Sequence, residues 1–166
     1  MVSRKKVSLA TETEQKKVSV LKHSEEDQEA LRQEICEALS WWKVRLGLRD
    51  YDLSVSWRTS HKAAAQMTAD LDYLTAQARF DLGQLWEKVD LRALHETVLH
   101  ELVHLALWEF YAEIEGMEQI LTDNGLEIST ADAKRIRRAW ERVTTRVSRA
   151  IMEAMESRER LPWVEG

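Results

Sequence analysis

Two histidines one helical turn apart, with a glutamate beside the first, are the residues of this chain best suited to chemistry. They are His100, Glu101 and His104, within TVLHELVHLAL at residues 97–107. Titratable side chains are costly to bury in an apolar segment unless a metal ion, a hydrogen bond or an opposite charge satisfies them. The segment is therefore either a metal-binding helix or a core helix that carries incidental polar residues.

Helical geometry separates these side chains from the apolar ones. An α-helix turns about 100° per residue, so His104 lies about 40° and Glu101 about 100° from His100. His95 lies about 140° from His100 in the other sense, and we expect it to be a core or flanking histidine and not a ligand. The opposite side of the helix carries Leu91, Val98, Leu102 and Leu105.

The pattern H-E-x-x-H on a helix is typical of a catalytic zinc site. Two imidazoles at this spacing can each direct a ring nitrogen at one zinc ion, at about 2.0–2.1 Å. Zinc lowers the pKa of water to about 7, so Glu101 can accept the proton and pass it to the leaving amine. The pattern arises by chance in about one chain in a hundred of this size. We therefore predict Zn²⁺ at His100 and His104, with Glu101 as general base.

The third protein ligand is not determined by the spacing. A catalytic zinc usually has three protein ligands and one open position. No histidine follows His104, and His23 and His61 lie upstream, so an acidic residue from the C-terminal part is the simplest choice. Each candidate is also compatible with an ordinary solvated helix surface. The candidates are Glu109, Glu113, Glu118, Glu127, Asp132 and Glu141.

Composition indicates one globular domain. The chain has 166 residues, 44% of them apolar and 32% charged, and a formal net charge of -5, which argues against nucleic-acid binding by bulk charge. The single cysteine, Cys36, allows no internal disulfide and favours a cytoplasmic location. No apolar run reaches the roughly 18 residues of a membrane span, so we expect no membrane association.

Charge and polarity divide the chain into three parts. We expect residues 1–22 to form a disordered basic arm, 23–160 a single domain and 161–166 a tail. The arm is the one segment in which we expect any nucleic-acid contact, through its lysines and arginine.

Periodicity predicts an α+β fold. A helix begins at Ser24 and ends near Gly47. The alternating segments 51–58 and 65–82 predict three short strands. Asp90 is expected to cap the helix that carries the histidines, which runs to Leu107 or beyond. The resulting architecture is an N-terminal helix, a small three-stranded antiparallel sheet, the H-E-x-x-H helix and a long C-terminal helix.

Ser129 or Thr130 is expected to cap the last helix, and Asp132 is placed to form a capping box with Ser129. On an ideal helix Glu141 lies about 130° from the centre of its apolar stripe, on a face that includes Thr144, Ser148 and Met152 and that is suited to lining a cleft. The stripe comprises Ile136, Trp140, Val143, Val147, Ile151 and Ala154.

This order of elements around LHELVH resembles the minimal zinc metallopeptidases, namely the SprT-like, ImmA/IrrE-like and related small phage or prophage peptidases. The resemblance covers roughly residues 28–155. SprT-like members use a third histidine, and no histidine follows His104 in this chain. In the ImmA/IrrE-like and phage-type members a later helix supplies a glutamate, and ERVTTRVSRAI at residues 141–151 is similar to that segment. The resemblance thus implies a gluzincin-like site with Glu141 as third ligand.

The same resemblance implies a place for substrate. In such peptidases a strand before the active-site helix is an edge to which substrate adds in extended form, and TAQARFDL at residues 75–82 corresponds to it. Tyr73, Tyr111 and His61 remain alternatives for stabilising the oxyanion.

We therefore expect a zinc-dependent metallopeptidase that hydrolyses a protein or peptide. The alternative is a non-catalytic zinc-containing binding or regulatory module of the same fold. Glu101 favours the enzyme, because a structural zinc site needs no general base. A DNA-associated protein that uses the basic arm is a third hypothesis, which the net charge disfavours.

Overall fold

The computed structural model describes residues 24–58, 63–86, 90–126 and 128–158. The predicted basic arm at 1–22, His23, His61, Glu127 and the predicted tail at 161–166 lie outside the described residues. Within these ranges the fold is α+β, as predicted, with five helices and three strands.

Helix α1, Glu25–Arg45, begins and ends where local chemistry predicts. The Ser24 side chain accepts a hydrogen bond from the Asp27 backbone N–H, and the Asp27 carboxylate accepts one from the Ser24 backbone N–H. This reciprocal capping box satisfies donors that the first helical turn leaves open. The chain leaves the helix at Gly47, whose φ of 73° favours glycine. The helix buries Ile35, Ala38, Leu39 and Trp42.

The sheet contains β1 (Asp52–Arg58), β2 (Ala65–Asp70) and β3 (Thr75–Asp81), in the order β1-β3-β2. β2 pairs with β3 in antiparallel register, as the hairpin prediction requires, but β1 pairs with β3 in parallel. The prediction of an all-antiparallel sheet was therefore wrong. Alternation assigns side chains to faces but does not specify which strand is a neighbour. β3 is the central strand, and its Ala76, Ala78 and Phe80 are buried.

Four helices follow the sheet in the chain. The short helix α2, Leu82–Trp86, leads to α3, Leu91–Ala106, whose first turn is capped by the Asp90 carboxylate accepting from the Arg92 backbone N–H. Helix α4 is Trp108–Asp123, and α5 is Thr130–Glu156 with Ser129 as its cap. No helix among the described residues combines the length and apolar character needed to cross a membrane.

The core lies between α1, the sheet and α3. Val98, Leu102 and Leu105 of α3 are almost completely buried, as predicted, whereas Leu91 is 43% exposed because it lies in the first turn of the helix. Burial of these three side chains stabilises the fold by roughly 1.5–3 kcal/mol each. The packing holds the opposite face of α3, with its histidines, towards α5.

The inward face of α5 overlaps the predicted apolar stripe but is rotated from it: Trp140 is buried, and Val147 and Ile151 are partly buried against the core. Its buried residues are Trp140, Thr144, Ser148 and Met152. Val143, a member of the predicted stripe, is 48% exposed. Thr144 and Ser148 are almost completely buried, and the Thr144 hydroxyl contacts His104 of α3.

Candidate metal centre

Three side chains from two helices meet at one point. His100 and His104 of α3 place their Nε2 atoms 3.1 Å apart. The Glu141 Oε2 atom of α5 lies 3.6 Å from His100 Nε2 and 3.5 Å from His104 Nε2. These are the atoms of a cluster that could hold a metal ion. Tetrahedral ligands about 2.0–2.1 Å from a zinc ion are separated by about 3.3 Å, so the three distances fit such an ion.

The protonation of both histidines suits ligation. Burial lowers the pKa of His100 and of His104, and the Glu141 carboxylate opposes this lowering in each case. The positive charge of the neighbouring His100 lowers the pKa of His104 further. A ring nitrogen binds a metal only when it carries no proton, so burial favours the binding form.

A buried threonine orients one of these rings. Thr144 Oγ1 lies 3.3 Å from His104 Nδ1, and Thr144 is fully buried. With a metal bound at His104 Nε2, Nδ1 would carry the ring proton, and its N–H would donate a hydrogen bond to the Thr144 hydroxyl oxygen. Hydrogen bonds of this kind select the tautomer and fix the ring orientation of a metal-binding histidine.

Glu101 lies beside the cluster and outside its ligand set. Glu101 is only 7% exposed, and its carboxylate accepts a hydrogen bond from the Met67 backbone of β2. Burial raises the pKa of Glu101 to about 7, with the Glu141 carboxylate adding to the rise and the Met67 hydrogen bond opposing it. A carboxyl group with a pKa near neutrality is suited to both accepting and donating a proton.

The strand that borders the cluster is β2, and the predicted substrate edge was wrong. β3 pairs on both sides, because it lies between β1 and β2, so its backbone has no open edge. The Asp81 N–H donates to the Ala64 carbonyl, which places Ala64 in a hydrogen-bonded pair with β3. Since such pairs alternate in an antiparallel ladder, the backbone groups of Ala65, Met67 and Ala69 point to the open side of β2.

A cleft of about 1050 Å³ contains the cluster and Glu101. The residues from Ala63 to Met67 form one border. An aromatic wall forms another: the rings of Trp140 and Tyr111 lie 5.2 Å apart, and Trp108 is adjacent to Tyr111 at 5.9 Å. Arg137 also lines the cleft. The opening is therefore bounded by an open strand edge, an apolar wall and one cation.

The remaining candidates are placed elsewhere. Of the alternative third ligands, Glu109, Glu113, Glu118 and Asp132 are not part of the described cluster, and Glu127 lies outside the described residues. His95 is a core histidine, as predicted: it is 6% exposed and its Nδ1 accepts from Trp42 Nε1 at 3.2 Å.

Among the three oxyanion alternatives, the structure brings only Tyr111 to the cleft within the described part of the chain. Tyr73 lies in the turn between β2 and β3 and is 78% exposed. The sequence placed Thr144 on a face suited to lining a cleft but did not predict its contact with His104, and it did not indicate the edge of β2. The signal in the sequence for Thr144 was its spacing, four residues after Trp140 and four before Ser148, which places all three on one helical face.

Comparison of the chain with protein-family models, with curated proteins and with solved structures finds no match.

Proposed function

We propose that the protein is a zinc-dependent metallopeptidase. The observation that carries the proposal is the triangle of His100 Nε2, His104 Nε2 and Glu141 Oε2, with sides of 3.1, 3.5 and 3.6 Å. Two histidines and one carboxylate form a ligand set that catalytic zinc uses while keeping a position open. The donor types, their distances and the lowered pKa values of both imidazoles support zinc.

When bound, zinc would act as a Lewis acid that polarises a peptide carbonyl and makes a water molecule acidic near neutral pH. Glu101 would accept a proton from the attacking water and donate it to the departing amine. Its position within the same cleft as the ligands supports this role. The Met67 hydrogen bond holds the carboxylate in place while leaving its second oxygen for the proton.

Binding of the peptide would use the open edge of β2. The outward backbone groups of Ala65 and Ala69 can pair with an extended chain, which gives affinity without reading much sequence. The Met67 N–H already donates a hydrogen bond to Glu101. An incoming chain would therefore pair with Ala65 and Ala69, on the two sides of Met67. Protein or peptide is therefore the substrate class that we propose.

The metal test uses matched variants. We expect one zinc ion per chain by elemental analysis of the purified protein. His100→Ala and Glu141→Ala should each weaken zinc binding, whereas Glu109→Ala should leave it unchanged, because Glu109 is outside the cluster. A protein that cannot be loaded with zinc would refute the proposal.

The catalytic test separates an enzyme from a non-catalytic zinc-containing module. Glu101→Gln keeps the size of the side chain but removes its capacity to accept a proton. It should retain zinc and lower the rate of peptide hydrolysis by about 10²–10⁴-fold. The measurement is cleavage of a broad peptide library by wild type and variant, with a chelator control. Hydrolysis by the variant at the wild-type rate would exclude Glu101 as the base.

A further inference from the structure

The side of α5 that faces away from α3 carries a dense row of cations. They are Lys134, Arg135, Arg138, Arg142, Arg146 and Arg149, all exposed, and we call them the basic stripe. At about 100° per residue they fall within an arc of about 120° and extend for about 22 Å along the helix. The same arc between Lys134 and Arg149 contains one further residue, Thr145, and no acidic side chain.

The basic stripe does not stabilise the fold through ion pairs. Within the described part of the chain, Arg135 is the one member with an ion pair, to Asp132 at 3.5 Å. Arg138, Arg142 and Arg146 follow one another at four-residue spacing, and like charges at this spacing destabilise a helix by roughly 0.2–0.5 kcal/mol per pair. Because this arrangement lowers helix stability, it indicates that the cations bind another molecule and do not serve the fold.

We propose that the basic stripe binds the phosphate backbone of double-stranded nucleic acid. Five of its six members are arginine, whose planar guanidinium can bind phosphate through two parallel hydrogen bonds. Four-residue spacing sets successive cations about 6 Å apart along a nearly straight line, which suits a linear polyanion. Contacts of this kind recognise the phosphate charge and do not depend on the base sequence.

The composition of this face favours nucleic acid over an acidic protein. Protein interfaces have an apolar centre with aromatic residues, whereas interfaces with DNA are polar and strongly basic. No large apolar side chain lies within the arc of the stripe. The net charge of -5 for the whole chain does not oppose local binding, because charges farther away than about 8 Å are screened at physiological salt.

The test measures binding of the full chain to a fluorescent 25-base-pair DNA duplex by anisotropy, at several salt concentrations. We expect binding that weakens steeply with salt. The variant Arg138→Gln/Arg142→Gln/Arg146→Gln should lose affinity and lower the slope of log K against log[salt] by about 2.7, at about 0.9 per phosphate contact. Glutamine preserves helix propensity, and circular dichroism verifies folding.

The matched control removes three cations elsewhere, as Arg45→Gln/Arg49→Gln/Arg58→Gln. It changes the net charge equally, and its salt slope should stay close to that of wild type. Chelation of zinc should not change DNA binding, so failure here is distinguishable from failure of the metallopeptidase proposal. The proposal is overturned if the full chain does not bind the duplex, if the α5 variant keeps the wild-type slope, or if polyglutamate competes as well as DNA of equal charge.

Discussion

With the proposed metal bound, His104 would be held at both ring nitrogens, by the metal at Nε2 and by Thr144 at Nδ1. Thr144→Val keeps the branched shape of the buried side chain and removes its hydroxyl. We expect zinc affinity to fall about 10–100-fold, the usual effect of losing such a partner. Competition with a zinc-binding dye measures it.

Thr145→Val is the matched control, because the Thr145 hydroxyl donates to the Glu141 carbonyl within its own helix. Equal zinc affinity in Thr144→Val and wild type would show that the 3.3 Å contact does not orient the ring.

The buried His95 makes stability depend on pH. Burial lowers the pKa of His95 from 6.5 to about 4, so the unfolded chain binds the proton more readily. The contribution of neutral His95 to folding stability is complete above pH 6.5 and is lost as the pH falls towards 4. Between pH 7 and pH 5 we expect the free energy of unfolding to fall by about 2 kcal/mol from this residue alone.

Urea unfolding of wild type and His95→Gln at both pH values isolates this contribution. The glutamine can still accept from Trp42 but does not titrate in this range, so its stability should change less between pH 7 and pH 5. An identical change in the two proteins would exclude His95 as the source.

The orientation of α5 is an element-level finding that two substitutions can test. Met152 is 1% exposed and belongs to the observed buried row, whereas Val143 is 48% exposed and belongs to the stripe expected from apolar spacing. Met152→Ala should destabilise the protein by about 2–5 kcal/mol, and Val143→Ala by less than about 0.5 kcal/mol. Chemical denaturation gives both values, and the reverse order would show that the helix is rotated.

The same rotation explains why Glu141 reaches the histidines. Glu141 lies about 130° from the apolar stripe but next to the buried row of Trp140, Thr144 and Ser148. α5 turns this row towards α3 and brings the carboxylate with it. The more polar face is buried because it meets the polar face of α3.

A bound metal would connect two parts of the molecule that are far apart in the chain. His100 and His104 lie on α3 and Glu141 on α5, so zinc bound to all three would stabilise the folded arrangement and not the unfolded chain. Binding at a concentration of 100 Kd adds about 2.7 kcal/mol. We expect removal of zinc with a chelator to lower Tm, as measured by differential scanning calorimetry.

Glu141→Ala should show a smaller decrease in Tm on chelation, because one of the three ligands is missing. Addition of zinc should restore the Tm of the wild type. A wild-type Tm that does not respond to zinc would show that the two helices are held together without the metal.

The sequence by itself determined the features that depend on neighbours within a few residues. Ser24, Asp90 and Ser129 cap helices as predicted because a cap needs only the next turn. The four-residue spacing of His100 and His104 similarly places both rings on one helical face. These interactions are local, and short-range periodicity is sufficient to reveal them.

Only the tertiary structure decided which elements face one another. Strand alternation does not distinguish a parallel from an antiparallel neighbour, so the central place of β3 and the open edge of β2 required the packed sheet. The meeting of Glu141 with two histidines about forty residues away likewise depends on the rotation of α5. That rotation is set by which face packs best against α3, and this is a property of both helices together.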